Sequence, residues 1–163
     1  MQVFTDAAAD QSLIIEIVEM QSIGINAGEN GSQIGQFYFQ DLLDTNDAQG
    51  GNIRMSRRLG PEEIDLESCS AFLVEGEMAA QKGRSSHHQG QGINKVHILL
   101  AIIRIPEKQT DILISLNTPM FIHEDSISAP DIGAGFKNLH ESADALFLRI
   151  LASFKIVDWS LFG

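Results

Sequence analysis

Residues 10–21 read DQSLIIEIVEMQ, two glutamates set into a run that is otherwise almost wholly aliphatic. How this stretch is read decides the architecture. Strict alternation of apolar and polar residues fails at Leu13, Ile14 and Ile15, whereas Leu13, Ile14, Ile17 and Val18 follow helical spacing. The pattern therefore predicts a helix, started by Asp10 or Ser12, whose short side-chain oxygens accept an orphan backbone N–H. On that helix Glu16 and Glu19, three residues apart, project side by side away from the aliphatic face.

Outward from this segment, residues 34–43 (IGQFYFQDLL) place Phe37 and Phe39 on one side and Gln36, Tyr38 and Gln40 on the other, which predicts a strand. DTNDAQGGN (44–52) predicts a loop, and Pro61 followed by Glu62 and Glu63 a short helix with acids at its positive end. Strands are predicted over 71–81, 94–105 and 110–118. KGRSSHHQGQG separates the first two. The last two are joined by PEKQ, a connection short enough to make them an antiparallel hairpin. Nearly continuous apolarity in VHILLAIIRI (96–105) implies burial on both faces, hence a central strand. Phe136, Leu139, Ala143, Leu146, Phe147, Ile150 and Leu151 recur at helical spacing, and FKIVDWSLFG (154–163) closes the chain as a short strand or extended tail. The fold class is α+β, an antiparallel sheet with helices packed on it.

The chain has 163 residues, 44% hydrophobic and 20% charged, which suits one domain over 1–163 with a proper core. Its net charge is −11. Nucleic-acid binding needs clustered lysine and arginine to neutralise phosphates, so no nucleic-acid partner is expected. A basic surface on another protein is the natural complement. The single cysteine, Cys69, excludes an intramolecular disulfide. No signal peptide is read at MQVFTDAAAD, and no apolar run is long enough for a helical membrane span, so no membrane partner is expected.

Chemical constellations are weak. The five histidines lack metal-ligand spacing, no HExxH or CxxC accompanies them, and no GK[ST] follows the glycines, so no metal or cofactor is expected. Arg54, Arg57 and Arg58 balance local acids more readily than they bind phosphate. Glu16 and Glu19 admit three readings. They are a solvated helix back, a docking face, or the carboxylate pair of a hydrolase, which would need a cleft that separates their pKa values.

Three segments together resemble a known family. Ser12, the triplet at 13–15, Glu16, the pair at 17–18 and Glu19 match one motif. Ile103 to Pro106, Gln109 to Asp111, and Asn117 to Pro119 match a second, and Asp158 with SLFG (160–163) a third. In this order, with the FYFQDL segment between them, they are similar to the Ran guanine nucleotide release factors, small Ran-binding proteins of nuclear transport. That resemblance implies an antiparallel β-sheet covered by α-helices on both faces, similar to the photosystem subunit PsbP. It implies binding to the GTPase Ran through Glu16 and Glu19, promotion of GTP release in support of nuclear import, and a monomer of nucleus and cytoplasm that does no covalent chemistry. The QTD and SLFG motifs are expected to be structural. Family members carry a further strand ahead of the matched region, so the fold is expected to lack it, and GRSSHHQGQG (83–92) reads as an insertion. A PsbP-like binding module with another protein partner is the alternative.

Overall fold

A computed structural model describes residues 1–23, 32–66, 68–81, 92–126, 128–137 and 140–162. Its centre is an antiparallel sheet. In chain order the strands are β1 (Gln2–Asp6), β2 (Gln11–Glu19), β3 (Gly50–Arg58), β4 (Ser70–Gln81), β5 (Ile93–Ile105), β6 (Thr110–Ile122) and β7 (Gly135–Phe136). In space they run β1-β2-β6-β5-β4-β3, with β7 added to the far end of β6. Helix α1 (Ser32–Thr45) covers one face and α3 (His140–Ser153) the other, while α2 (Ala129–Ile132) is a single turn.

The register explains the composition of the central strands. Ile98, Leu100 and Ile102 of β5 face α1 together with Val74 and Leu113. Leu99, Ala101 and Ile103 face α3 together with Ile112, Ile114 and Leu116. With both faces covered, alternation disappears and the strand reads as continuous apolar sequence. The expected central position of this strand, the β5–β6 hairpin and helices on both faces are all observed.

Two predicted elements exchange identities. Residues 10–21 form β2 rather than a helix. Leu13 and Ile15 pack on the α3 side and Val18 on the α1 side, so a strand apolar on both faces imitates helical spacing. Its β-branched Ile14, Ile15, Ile17 and Val18 suit a pleated surface. Conversely, 34–43 lies in α1 and not in a strand: Ile34, Tyr38, Phe39 and Leu43 are buried at one-four-five spacing, and the apparent alternation of aromatics is incidental. Gly35 lets this helix approach closely, since a Cβ there would stand 2.8 Å from Cγ2 of Val74.

Further corrections are local. Strands β1 and β3 are present where no strand was expected, because both are edge strands with largely exposed sequences. The segment 61–63 is a hydrogen-bonded turn closed on the Gly60 carbonyl rather than a helix. Strand β6 does not stop before Pro119 but continues to Ile122, with a register shift between Lys95 and Val96 opposite the proline. Phe136 belongs to β7 and precedes α3. The C-terminus is an extended tail followed by a 3-10 turn, Trp159–Phe162. Leu139 and the inserted loop, apart from Gly92, lie outside the described residues.

Candidate functional site: the acidic end of strand β2

The two glutamates of the opening segment stand on opposite faces of the sheet edge. Glu16 lies across from Leu113 and Glu19 across from Thr110. Leu113 belongs to the α1-side core, which puts Glu16 on the α1 side. Alternation then turns Ile17 and Glu19 to the α3 side, where Ile17 sits opposite the core residue Ile112. The side-by-side arrangement expected of a helix is therefore absent. Glu16 is half-buried, Glu19 exposed. Carboxylates on opposite faces of one strand cannot converge on a single bond, which removes the hydrolase geometry.

Pairing with β1 covers only Gln11 to Ile15 of β2. Beyond that, among the described residues, no strand pairs with 16–19 on the side away from β6. The acids thus lie on the part of β2 that pairs with β6 on one side and, among the described residues, with no strand on the other.

A buried charged cluster holds this end in place. Arg104 Nε and Nη2 donate to the two carboxylate oxygens of Asp111 at 3.0 Å each. The Tyr38 hydroxyl donates to the same carboxylate at 2.7 Å. The remaining arginine donors reach the chain leaving β2: Nη1 to the Ile23 carbonyl at 2.7 Å and Nη2 to the Gln21 carbonyl at 2.9 Å. One residue nearer the glutamates, the Met20 N–H donates to the Gln109 carbonyl at 2.8 Å. Gln109 itself adopts a left-handed conformation, φ 48°, after the 3-10 turn Pro106–Lys108. Burial and the Asp111 carboxylate push the Tyr38 phenol far above its ordinary pKa, so it remains a neutral donor.

The QTD motif is accordingly structural, and its contribution is specific, because Gln109 and Asp111 fasten the exit of β2. Periodicity and motif spacing do not single out Arg104 or Tyr38. A charged residue inside VHILLAIIRI is the available signal, since a buried arginine needs a partner.

Other candidates resolve into ordinary roles. Arg54 pairs with Glu77, and Arg57 forms a two-pronged pair with Glu63 at 2.7 and 2.5 Å, consistent with arginines balancing local acids. His97 is buried with Nε2 3.4 Å from Glu75, His123 lies beside Asp125, and His87 and His88 fall outside the described residues. Among the described residues no cluster of three potential ligands could hold a metal ion. Cys69 is half-buried, and burial, with Glu107 nearby, pushes its thiol pKa up, away from nucleophilic character.

Comparison with known proteins identifies the family of this chain. The family model described as "Ran-interacting Mog1 protein" matches residues 2–119, spanning the β1–β2 hairpin, both core faces and the Arg104–Asp111 cluster. The chain belongs to the Ran-interacting Mog1 family. It is 30% identical to the Ran guanine nucleotide release factor of Danio rerio over 166 residues, covering 99% of this chain and 83% of that protein. Identity to the Ran guanine nucleotide release factor of Bos taurus is 25%, with 99% and 80% covered. The crystal structure of the Saccharomyces cerevisiae Ran-binding protein Mog1p shares the fold, with a TM-score of 0.59 at 20% identity over 94% of this chain and 71% of that one. The matched region, residues 2–119, contains Glu16, Glu19, Tyr38, Arg104 and Asp111.

Proposed function

We propose that this chain binds the GTPase Ran and promotes release of its guanine nucleotide, chiefly GTP, in support of nuclear protein import. It acts as a monomer in nucleus and cytoplasm, by contact alone and without a cofactor. The observation that carries the proposal is the family match over 2–119, coupled to an acidic strand end in a chain of net charge −11.

A release factor works by linkage: it binds the nucleotide-free GTPase more tightly than the loaded one, and nucleotide weakens the factor by the same ratio. A loaded GTPase holds its phosphates with a P-loop lysine, backbone N–H groups and Mg²⁺. Glu16 and Glu19 supply carboxylates that pair with basic groups near the nucleotide site and favour its open form. Because they flank one strand, they engage two separate basic groups, one on each side of the edge, rather than a single site. Desolvated charge-assisted contacts of this kind contribute about 1.5–3 kcal/mol each.

The test is release of a fluorescent guanine nucleotide from Ran. The wild-type chain should accelerate release, and Glu16→Lys and Glu19→Lys should each weaken the effect at least tenfold, the change expected from about 1.4 kcal/mol. Unchanged acceleration in both variants would remove the role assigned to these residues. Capture by nucleotide-free, GDP-loaded and GTP-loaded Ran separates this reading from a binding module with another partner.

A further inference from the structure

Glu19 is the last residue of β2 and pairs with Thr110, the first residue of β6, so it stands where two strands end. The terminal pairs of a ladder open most readily. Outside the ladder Glu19 contributes its carbonyl, which accepts from Gln21 Nε2 at 3.3 Å. Its carboxylate has no hydrogen-bond or ion-pair partner among the described residues. The direction of that carboxylate is therefore set by the backbone on either side of it.

Upstream, pairing with β6 fixes the backbone. Downstream, Arg104 does. Val18, Asp111 and Arg104 form one row across β2, β6 and β5. Arg104 belongs to β5, yet its guanidinium reaches past Asp111 to the chain leaving β2, where it holds the Gln21 and Ile23 carbonyls. From the β5–β6 turn the Gln109 carbonyl takes the Met20 N–H. Gln109 is itself fixed by its left-handed backbone and by its N–H and Nε2, which donate to the Pro106 carbonyl at 3.1 and 2.8 Å. Residues 20, 21 and 23 are thus clamped between a turn and a buried cation.

Stability alone does not call for an arginine here, because a well-packed apolar pair would join β5 to β6 at least as well. An apolar pair cannot hold carbonyls on the far side of β6. A planar fork of donors can. Lysine, whose donors radiate from one nitrogen, does not match a carboxylate and two separate carbonyls together. We propose that Arg104 is a positioning residue for the Ran interface: by holding the chain at 20–23 it fixes the direction in which Glu19 meets a cation on the GTPase. Asp111 and Tyr38 hold the guanidinium in turn. The inference rests on the proposed function and deepens it, assigning part of the affinity to a buried group behind the contact surface.

A double-mutant cycle separates positioning from stability. Wild type, Arg104→Lys, Glu19→Gln and the double variant are titrated to half-maximal effect in fluorescent-nucleotide release from Ran. Leu151→Ala, a truncation in the core on α3, controls for lost stability. Arg104→Lys keeps a cation beside Asp111, and circular dichroism should show an intact fold. It should raise the half-maximal concentration about tenfold, within the range of coupling inside one hydrogen-bonded network. In the Glu19→Gln background the same change should have no further effect, because a carboxylate already removed cannot be misdirected. Leu151→Ala should match wild type. If Arg104→Lys unfolds the chain, Tyr38→Phe takes its place in the cycle, with an expected rise of about threefold. Three outcomes each overturn the inference and leave the proposed function standing: equal losses in both backgrounds, no loss in Arg104→Lys beside an impaired Glu19→Gln, or a matching loss in Leu151→Ala. A Glu19→Gln chain equal to wild type removes Glu19 from the interface, and the inference with it. If wild type leaves release at its intrinsic rate, inference and proposed function both fall.

Discussion

Arg104 and Asp111 face each other across the β5–β6 pair, and their two-pronged ion pair ties the sheet to the chain that leaves β2. Asp111 is fully buried and Arg104 nearly so. Such a pair contributes little over an apolar substitute, because both charges have left water, yet breaking it strands one charge in the interior. Asp111→Asn should therefore destabilise the protein by about 3–5 kcal/mol. Urea unfolding checks this, and a loss below about 1 kcal/mol would mean that the guanidinium finds other acceptors.

Tyr38→Phe deletes one donor to Asp111 and keeps the ring. The expected cost is about 1–2 kcal/mol. The phenol also sets an alkaline limit. Its folded pKa is raised above the unfolded value near 10, so its contribution is complete below that pH and declines as pH rises beyond it. Stability of the wild type should fall with pH above about 10, and Tyr38→Phe should flatten that part of the profile. Parallel slopes for the two proteins would contradict the assignment.

The Arg57–Glu63 pair acts at the other end of the pH scale. Hydrogen bonding from Arg57, with the Gly60 N–H helping, holds the Glu63 carboxyl below its ordinary pKa. A depressed carboxyl stabilises the fold above its unfolded pKa, and the contribution disappears as pH falls through the lower folded value. Arg57 is about a third exposed, so solvent screening keeps the effect below about 1 kcal/mol. Glu63→Gln should lower the thermal midpoint slightly at neutral pH and leave it unchanged in strong acid, below the folded pKa. An equal deficit under both conditions would count against the ion pair.

Gly35→Val tests the seating of α1. A Cβ alone would approach Cγ2 of Val74 to 2.8 Å and Oγ of Ser56 to 3.0 Å, and two further methyl groups have no room. Helix and sheet must separate, at about 1–3 kcal/mol. Chemical denaturation measures this, and a neutral result would show that α1 can shift without loss.

Much of the architecture is legible in the chain because local pattern and tertiary environment agree there. Residues 96–105 are apolar on both faces, and a central strand is the element that buries both. Ala143, Phe147 and Leu151 keep strict helical spacing, and α3 follows. Residues 10–21 and 34–43 mislead for one physical reason, that local periodicity does not report which faces become covered. A short segment buried on two sides carries no clean period. A segment with aromatics at alternate positions still folds as a helix when Ile34, Tyr38, Phe39 and Leu43 share a face. Propensity is the better signal at β2, where β-branched residues dominate.

The candidate site divides the same way. The sequence by itself determined the acidic character of the molecule, the presence of Glu16 and Glu19 within an aliphatic run, and the three motifs that carry the family resemblance. Only the tertiary structure decided that the two acids flank a strand end instead of sharing a helix face. It also decided that Arg104, Asp111 and Tyr38, drawn from three separate elements, meet behind that end. Residue types are local properties of the chain. The face a side chain takes, and the partners it meets across distant segments, are set by sheet register and by the burial that the whole fold makes available.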